Sequence, residues 1–229
     1  MEAMRRPGRR PKVSREQVLD AAFELADEGG LATVTMANVG ARLGVEAMSL
    51  YRHIGNKEQM LDGLVDRVFA ETEVPAEARD WRGALRRRAL SARAALRRHP
   101  WAIGLMESRA QPGPATLGHH DAMVGILFAA GFDGRGAVRI YNLLDSYIYG
   151  FALQEATLPF SSPEEMASLS EQMLAAMADA YPHLAAVQRE LVGSGFVYAD
   201  EFEAGLDIIL AALPEPRSGS GSGTKPRRV

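Results

Sequence analysis

The sequence predicts an all-α fold, with an N-terminal three-helix helix-turn-helix domain followed by a C-terminal helical domain. Apolar residues recur at helical spacing along most of the chain, and residues that cap helices precede several of these runs. No run alternates apolar and polar residues as a strand would, and no internal repeat or glycine-rich phosphate loop is evident. With 229 residues, 47% of them hydrophobic, the chain can bury a substantial core.

Composition argues against several classes of protein. The chain has no cysteine, which excludes disulfides, thiolate catalysis and cysteine-ligated zinc. No apolar run approaches the roughly 20 residues that cross a bilayer, and the N terminus lacks the apolar stretch of a secretory signal. We therefore expect a cytoplasmic protein with no membrane partner. An enzyme is not indicated, because neither a carboxylate pair at a defined spacing nor a Ser, His and Asp constellation stands out.

The first 15 residues form a basic arm, although the whole chain has a formal net charge of −3. Six cations stand against one acid, Glu2, so the segment carries a charge of +5. Arg9 and Arg10 in this arm are expected to lie along phosphates or to enter a minor groove. The alternative is a tail that only aids solubility.

Capping boxes mark the first and fourth predicted helices. Ser14 and Gln17 begin the first, which two consecutive glycines end. Asn56 and Gln59 begin the fourth, whose apolar face repeats until Pro75. A change in the tilt of the fourth helix would alter the separation of two copies of the preceding helix in a dimer, which offers a route for regulation.

Between them lie two short helices separated by a tight turn. Thr35 caps the second helix, and Gly44 permits the turn before a third helix that runs from near Glu46 to about His53. Helical spacing directs three residues of the third helix inward, Val45, Leu50 and Ile54. It leaves the others on the outer side, Ala47, Met48, Ser49, Tyr51, Arg52 and His53.

The rest of the chain is also helical in pattern. Asp80 caps a helix through Arg98 whose arginines we interpret as a solvated face, with DNA contact as the alternative; they are Arg82, Arg86, Arg87, Arg88, Arg93, Arg97 and Arg98. Further helices are predicted over residues 101–108, 115–130 and 134 to about 158, then from Ser162 with Pro182 as its bound, and finally from Asp200.

The segment TMANVGARLGVEAMSLYRHIGNK, residues 35–57, carries a family resemblance. The run from about Ser14 to Leu64 resembles the DNA-binding domain of TetR family transcriptional regulators, and LGVEAMSLYRHIGNKEQMLDGLVD is most similar to the tetracycline repressor branch. The resemblance implies a DNA-binding domain at 14–60 and a helical ligand-binding and dimerisation domain at 61–213. The charge of the N terminus indicates a basic flexible arm at 1–13, and the composition of SGSGSGTKPRRV indicates a flexible tail at 214–229.

The third helix has the side chains that reading a major groove requires, because they are short or able to form hydrogen bonds. By the resemblance, Ala47 and Met48 match base-contacting positions, and Ser49 fits the same chemistry. Backbone-contacting positions match Tyr51, Arg52, His53 and Lys57, and the start of the second helix matches Met36, Ala37 and Asn38. Tyr51 also suits partial burial, and His53 a capping or packing role. Tetracycline repressors have arginine where this chain has Ala37 and glutamine where it has Ala47, so a different operator is expected.

The resemblance further implies a homodimer and a small-molecule effector. The helix from Gly134 and the last helix offer a dimer interface at Ile140, Leu144, Tyr147, Gly150, Phe151, Phe202, Leu206, Ile209, Leu210 and Leu213, with core packing in one subunit as the alternative. A ligand pocket is predicted at Trp101, Met106, His119, Phe128, Asn142, Asp145, Ser146 and Tyr149, with a solvated face as the alternative. Tetracycline is not the expected ligand, because the histidine that contacts its magnesium complex falls at Glu73. No cofactor or metal site is predicted.

The leading hypothesis is a one-component bacterial transcriptional regulator. It is expected to be a repressor that binds double-stranded DNA at a pseudo-palindromic operator as a homodimer and is released by a small-molecule ligand. An activator role stays open. The alternatives are an all-α small-molecule carrier or enzyme in which the helix-turn-helix is structural, and a TetR-like DNA-binding protein without a small ligand.

Overall fold

A computed structural model describes residues 13–74, 80–106, 108–160, 162–177 and 180–216. These residues contain no strand, which confirms the all-α prediction for this part of the chain. The α-helices are α1 Arg15–Gly29, α2 Met36–Leu43, α3 Ala47–Leu50, α4 Lys57–Ala70, α5 Trp81–Arg98, α6 Pro114–Ala129, α7 Gly134–Ala156, α8 Pro163–Met177, α9 Pro182–Ser194 and α10 Glu201–Ala212. Single 3-10 turns lie at Leu31–Thr33, Pro100–Ala102 and Tyr198–Asp200.

The chain divides into two compact units, which we call the head and the body. The head comprises residues 1–72 and 98–121, and the body comprises residues 73–97 and 122–229. The division predicted after residue 60 would cut α4, whereas the structure keeps α4 whole in the head. The physical reason is that Met60, Leu61 and Leu64 of α4 are buried in the same apolar cluster as α1.

The helices of the head begin where the caps predicted them. The Ser14 hydroxyl accepts a hydrogen bond from the Gln17 N–H, and the Gln17 side chain accepts one from the Ser14 N–H, so the predicted capping box is present. Thr35 Oγ1 accepts from the Asn38 N–H at 3.1 Å. The predicted third helix is shorter than expected: α3 ends at Leu50, and hydrogen-bonded turns continue to Ile54.

Side-chain caps also begin three helices of the body. Asp80 accepts from the Gly83 N–H at the start of α5, as predicted, and Ser162 accepts from the Glu165 N–H at the start of α8. Asp133 caps α7 by accepting from the Gly136 N–H at 2.7 Å, a cap that the sequence analysis did not identify.

The structure adds one helix to those predicted and replaces another. The helix from Ser162 ends before Pro182, in agreement with the prediction, but Pro182 is also the first residue of the unpredicted helix α9, a position that suits proline because its missing N–H would have no partner there. The helix predicted over residues 101–108 is instead a 3-10 turn followed by further turns, in which Ile103 and Leu105 donate to carbonyls three residues earlier. Within the described part of the chain, no helix is both long enough and apolar enough to span a membrane.

Candidate nucleic-acid interface

Two glycines of the head fix the angle between α2 and α3. Gly44 ends α2 with φ 66°, a left-handed conformation that costs other residues energy. Gly40 of α2 lies against the residues that lead into α3, and a Cβ on Gly40 would come within 2.8 Å of the Val45 carbonyl oxygen. The Val45 N–H donates to the Gly40 carbonyl at 2.9 Å. The sequence therefore specifies a tight helix-turn-helix.

Apolar anchors decide which side of α3 faces outward. Leu50 and Ile54 are buried with Val39 of α2 in the head cluster, as the spacing predicted. Because these side chains occupy the inner side, the opposite side of α3 and the residues that follow it project into solvent.

The outward side presents short and hydrogen-bonding groups. Met48 is 74% exposed and Tyr51 is 45% exposed, and Ala37 and Arg52 are also exposed. Lys57 is the exposed first residue of α4, where free N–H groups favour an anion, and Asn56 caps that helix by accepting from the Gln59 N–H at 2.8 Å. The geometry thus combines groove-sized side chains with donors for phosphate oxygens.

Other predicted contact residues are partly buried or form hydrogen bonds within the head. Met36 packs against the apolar cluster, and Ala47 is half-buried. The Ser49 hydroxyl donates to the Glu46 carbonyl at 2.7 Å, and the Asn38 side chain donates to the Thr33 carbonyl at 2.8 Å. His53 is half-buried. The predicted contacts Arg9 and Arg10 lie outside the described residues.

Charged residues connect the helices behind this surface. Arg42 of α2 donates to Glu24 and Glu28 of α1, and the hydrogen bond from Arg42 lowers the pKa of Glu28 below its ordinary value. Arg67 of α4 pairs with Glu16 and Asp20 of α1. These exposed pairs hold α2 and α4 against α1, each with a small energy.

A second polar cluster joins α1, the end of α4 and residues 98–101. His99 Nδ1 lies 2.6 Å from Asp27 Oδ1, and His99 Nε2 lies 3.2 Å from the Glu71 carboxylate. Burial tends to raise the pKa of Glu71, but hydrogen bonds from Arg98 and His99 outweigh it, so the pKa is lowered. The Trp101 indole donates to Asp27 Oδ1 at 2.7 Å, so this predicted ligand residue has a partner within the head.

The structure divides the predicted ligand residues between the two units. Besides Trp101, the head contains Met106 and His119, which are both buried. The body contains the remaining five residues, among which Phe128, Asn142 and Ser146 are exposed. The set is therefore not one continuous surface within either unit, and the ligand role of these residues stays a prediction.

Asp145 of α7 has a partner that the sequence analysis missed. It forms a buried ion pair with Arg88 of α5, and the Arg88 guanidinium lies 5.2 Å from the centre of the Tyr141 ring. Burial tends to lower the pKa of Arg88, but Asp145, Tyr149 and Tyr141 outweigh it and raise the pKa. The expectation of a solvated arginine face was therefore wrong for Arg88, and it was wrong for Arg93, which is also buried.

A signal for the burial of Arg88 exists in the sequence. Leu85 and Ala92 lie three and four residues away, so Arg88 falls on the apolar side of α5 rather than among its exposed arginines. Long guanidinium side chains are accepted there when a carboxylate on a neighbouring helix neutralises them.

Most of the residues predicted for the dimer interface lie in the core of the body within one chain. Buried members are Ile140, Leu144, Phe151, Phe202, Leu206, Leu210 and Leu213. Tyr147 stacks on Phe202 at 5.3 Å, and its hydroxyl donates to the Phe202 carbonyl at 2.9 Å. For these residues the core alternative describes the structure. Ile209 is half-buried, and Gly150 is exposed on the outer side of α7.

The outer sides of α7 and α10 carry other apolar residues. Leu143 and Leu153 of α7 are exposed, and Ile208 of α10 is 71% exposed. Helical spacing places Leu143, Gly150 and Leu153 on one face, and a Cβ at Gly150 would meet nothing within 4 Å. We call Leu143, Gly150 and Leu153 of α7 together with Ile208 of α10 the outer α7–α10 face.

A DNA-reading helix-turn-helix joined to a helical body defines the class of ligand-responsive, DNA-binding transcriptional regulators. Residues 18–64 match the family model described as bacterial regulatory proteins, tetR family, and residues 74–215 match the tetracyclin repressor-like C-terminal domain. The chain belongs to the TetR family, which confirms the resemblance found in the sequence.

Individual relatives agree with this assignment. The HTH-type transcriptional repressor DrrR1 of Streptomyces coeruleorubidus is 32% identical over 91% of this chain and 81% of its own length. A possible TetR family regulator from Streptomyces coelicolor A3(2) is 30% identical with a TM-score of 0.72, covering 87% of this chain and 98% of that one. A TetR variant from Acinetobacter baumannii AYE in complex with minocycline is 26% identical with a TM-score of 0.62, covering 87% and 96%.

Proposed function

We propose that this regulator is a repressor that binds a pseudo-palindromic operator as a homodimer and is released by a small-molecule effector. The observation that carries the proposal is the outward surface of the head, where Met48, Tyr51 and Arg52 project from α3 and its turn beside Lys57. The similarity to a protein named as a repressor supports the sign of regulation, and the minocycline complex of a family member supports a ligand-binding body.

The contacts divide into reading and positioning roles. Met48 and Ala37 are exposed and lack charge, so they suit base edges and thymine methyl groups in the major groove. Tyr51, Arg52 and Lys57 suit phosphate oxygens, which fix the register of the head without reading sequence. Ala37 cannot donate a hydrogen bond from its side chain, so the operator should differ from one read by an arginine at this position.

The homodimer is proposed to form through the outer α7–α10 face. Exposed apolar residues on two neighbouring helices lose contact with water when a second copy covers them, and Gly150 permits close approach of the backbones. A two-fold axis through this face would give two heads, as a pseudo-palindrome requires.

Selection of bound duplexes from a random DNA library by the full chain tests operator binding. We expect an enriched inverted repeat, and repression is checked by transcription from a template that carries it at the promoter. Lys57→Ala should weaken binding to every sequence and lower the magnitude of the slope of log K against log salt by about 1.8, because a dimer loses two phosphate contacts. Met48→Ala should instead change the preferred bases. Arg189→Ala, on the exposed side of α9, is the matched control. Retention of all sequences alike would contradict sequence reading.

Light scattering of purified protein tests the dimer. Leu143→Glu and Ile208→Glu each place a carboxylate on the outer α7–α10 face, so we expect a monomer at concentrations where the parent protein is a dimer. Leu184→Glu alters an exposed leucine on α9 and should leave the mass unchanged. A dimer that survives both outer-face variants would assign the interface to another surface.

A further inference from the structure

We propose that the body contains a binding site for a neutral, mostly apolar, ring-containing molecule that carries one hydrogen-bond donor. The site is the partly open pocket between α8 and α9 that is also lined by residues 158–160 and 195–198, and we call it the α8–α9 pocket. Helix α9 was not among the helices predicted from the sequence, so this pocket was not predicted either. The inference concerns binding alone and does not depend on the operator or on the sign of regulation.

The size of the pocket suits a small organic molecule. Its volume is about 350 Å³, and an adjoining cavity of about 440 Å³ shares six of its lining residues, Leu158, Phe160, Met166, Phe196, Val197 and Tyr198. Pockets for small molecules usually have volumes of 300–1,000 Å³ and mainly apolar walls with a few polar groups. The two cavities together offer room for a molecule with two or three rings.

The walls select against an ionic molecule. Among the described residues, neither cavity is lined by lysine or arginine, so an anion would find no counter-charge in that lining. The carboxylate of Glu155 lines the adjoining cavity, but Arg93 holds it through two hydrogen bonds of 3.0 and 2.6 Å. Met166 and Met173 add flexible, polarisable side chains that adapt to a ring system. The chemistry therefore favours a neutral aromatic molecule.

One side chain of the lining, that of Gln188, has an oxygen without a hydrogen-bond partner in the part of the chain that the structure describes. The side-chain oxygen of Gln188 on α9 is buried and accepts no hydrogen bond from any described residue. Because this oxygen has almost no accessible surface, the Gln188 amide has to rotate toward the pocket before a bound molecule can donate an N–H or O–H to it, and the new hydrogen bond then adds affinity. Tyr198 does not compete, because its hydroxyl donates to Gln154 Oε1 at 2.8 Å. Burial, followed by the nearby Glu155, raises the pKa of Tyr198, so its ring stays neutral.

The binding test uses the full chain and N-phenyl-1-naphthylamine, a neutral aromatic probe with a single N–H whose fluorescence rises in apolar surroundings. Its N-methylated counterpart lacks the donor and serves as the matched ligand. We expect one probe per chain, with the N–H form preferred by roughly five- to tenfold, the value of one net hydrogen bond. No binding of either probe would overturn the proposal.

Two variants locate the probe. Gln188→Leu keeps the size of the side chain, and it should remove the preference for the N–H form while the methylated probe still binds. Ala167→Trp fills the pocket from α8 and should weaken both probes at least tenfold. Leu184→Trp, on an exposed part of α9 outside the lining, is the control for the added indole. Unchanged thermal midpoints show that the variants fold.

Three results would overturn the assignment. Full binding by Ala167→Trp would place the probe elsewhere in the molecule. A preference for the N–H form that persists in Gln188→Leu would remove the role of the Gln188 oxygen. Loss of probe binding as the protein concentration rises would show that a second copy, rather than a small molecule, covers the pocket. Loss of operator binding in any variant would concern the proposed function and not this inference.

Discussion

The helix-turn-helix and the body differ in where their charged side chains lie. In residues 13–60, all of which are described, every buried side chain is apolar, and Arg15 and Arg42 pair with acids at the surface. In the body, Arg88 and Asp145 form an ion pair with side chains only 2% and 6% exposed. Arg93 is also buried, with its guanidinium 4.7 Å from the centre of the Phe202 ring.

This difference shows what specifies each region. Three short helices around a small apolar core are defined by caps, turns and hydrophobic spacing. The longer helices of the body have broad apolar faces that could pack in several registers, and a buried charge pair between α5 and α7 disfavours the registers in which one charge would lack its partner. The hypothesis that the Arg88–Asp145 pair fixes the register of α5 against α7 leads to the first prediction.

Breaking the buried pair should have the largest effect. Arg88→Met leaves Asp145 buried without a counter-charge, so we expect the free energy of unfolding to fall by about 3–5 kcal/mol. The double variant Arg88→Met, Asp145→Leu removes both charges and should recover most of this loss. Urea unfolding measures both. A single variant that costs less than about 1 kcal/mol would show that the pair is not buried in solution.

The apolar core of the helix-turn-helix should respond next. Leu50→Ala removes a fully buried side chain, and we expect a loss of about 2–4 kcal/mol together with loss of DNA binding. Met48→Ala, two residues earlier and exposed, should change the free energy of unfolding by less than about 0.5 kcal/mol. Comparable losses from the two variants would mean that α3 does not pack through Leu50.

The turn between α2 and α3 should show a smaller effect. Gly44→Ala forces a side chain into the left-handed region at φ 66°, and we expect a cost of about 1–2 kcal/mol by thermal unfolding. Gly118→Ala in α6 is the control, because a Cβ there meets nothing within 4 Å and the change favours a helix. Destabilisation by both substitutions would remove the special role of the turn.

The two regions also differ in how much the sequence alone could predict. Caps at Ser14, Thr35 and Asn56 each use a local hydrogen bond, so a short stretch of sequence determined where the head helices begin. The pairing of Arg88 with Asp145 joins residues that are far apart in the chain, and only a folded body brings them together. For the same reason the buried members of the predicted dimer set could not be separated from interface residues by spacing.

The α8–α9 pocket could not be predicted from the sequence for the same reason. Its walls come from α8, α9 and the segments 158–160 and 195–198, so no local motif identifies it. The outward surface of α3 was predicted because a single helix carries its side chains, and local spacing decides which of them are exposed. Sites on one element can be read from a sequence, whereas sites between distant elements need the fold.

The smallest predicted effect concerns the polar cluster of the head, and it tests whether surface ionic contacts there contribute at all. The pKa of Glu71 is lowered because hydrogen bonds from Arg98 and His99 outweigh burial. A lowered pKa in the folded state gives stability that is present above the ordinary value of about 4.3 and is lost as pH falls through the folded value. Asp27 and the Trp101 indole also face His99 in this cluster.

We therefore expect Glu71→Gln to flatten the loss of stability between about pH 5 and pH 3, measured by urea unfolding at a series of pH values. Glu46→Gln, an exposed change on the same unit for which no ion pair is found among the described residues, is the control. Equal acid sensitivity of the parent and the Glu71 variant would show that the cluster does not favour the ionised form of Glu71, and the head would then depend on its apolar core alone.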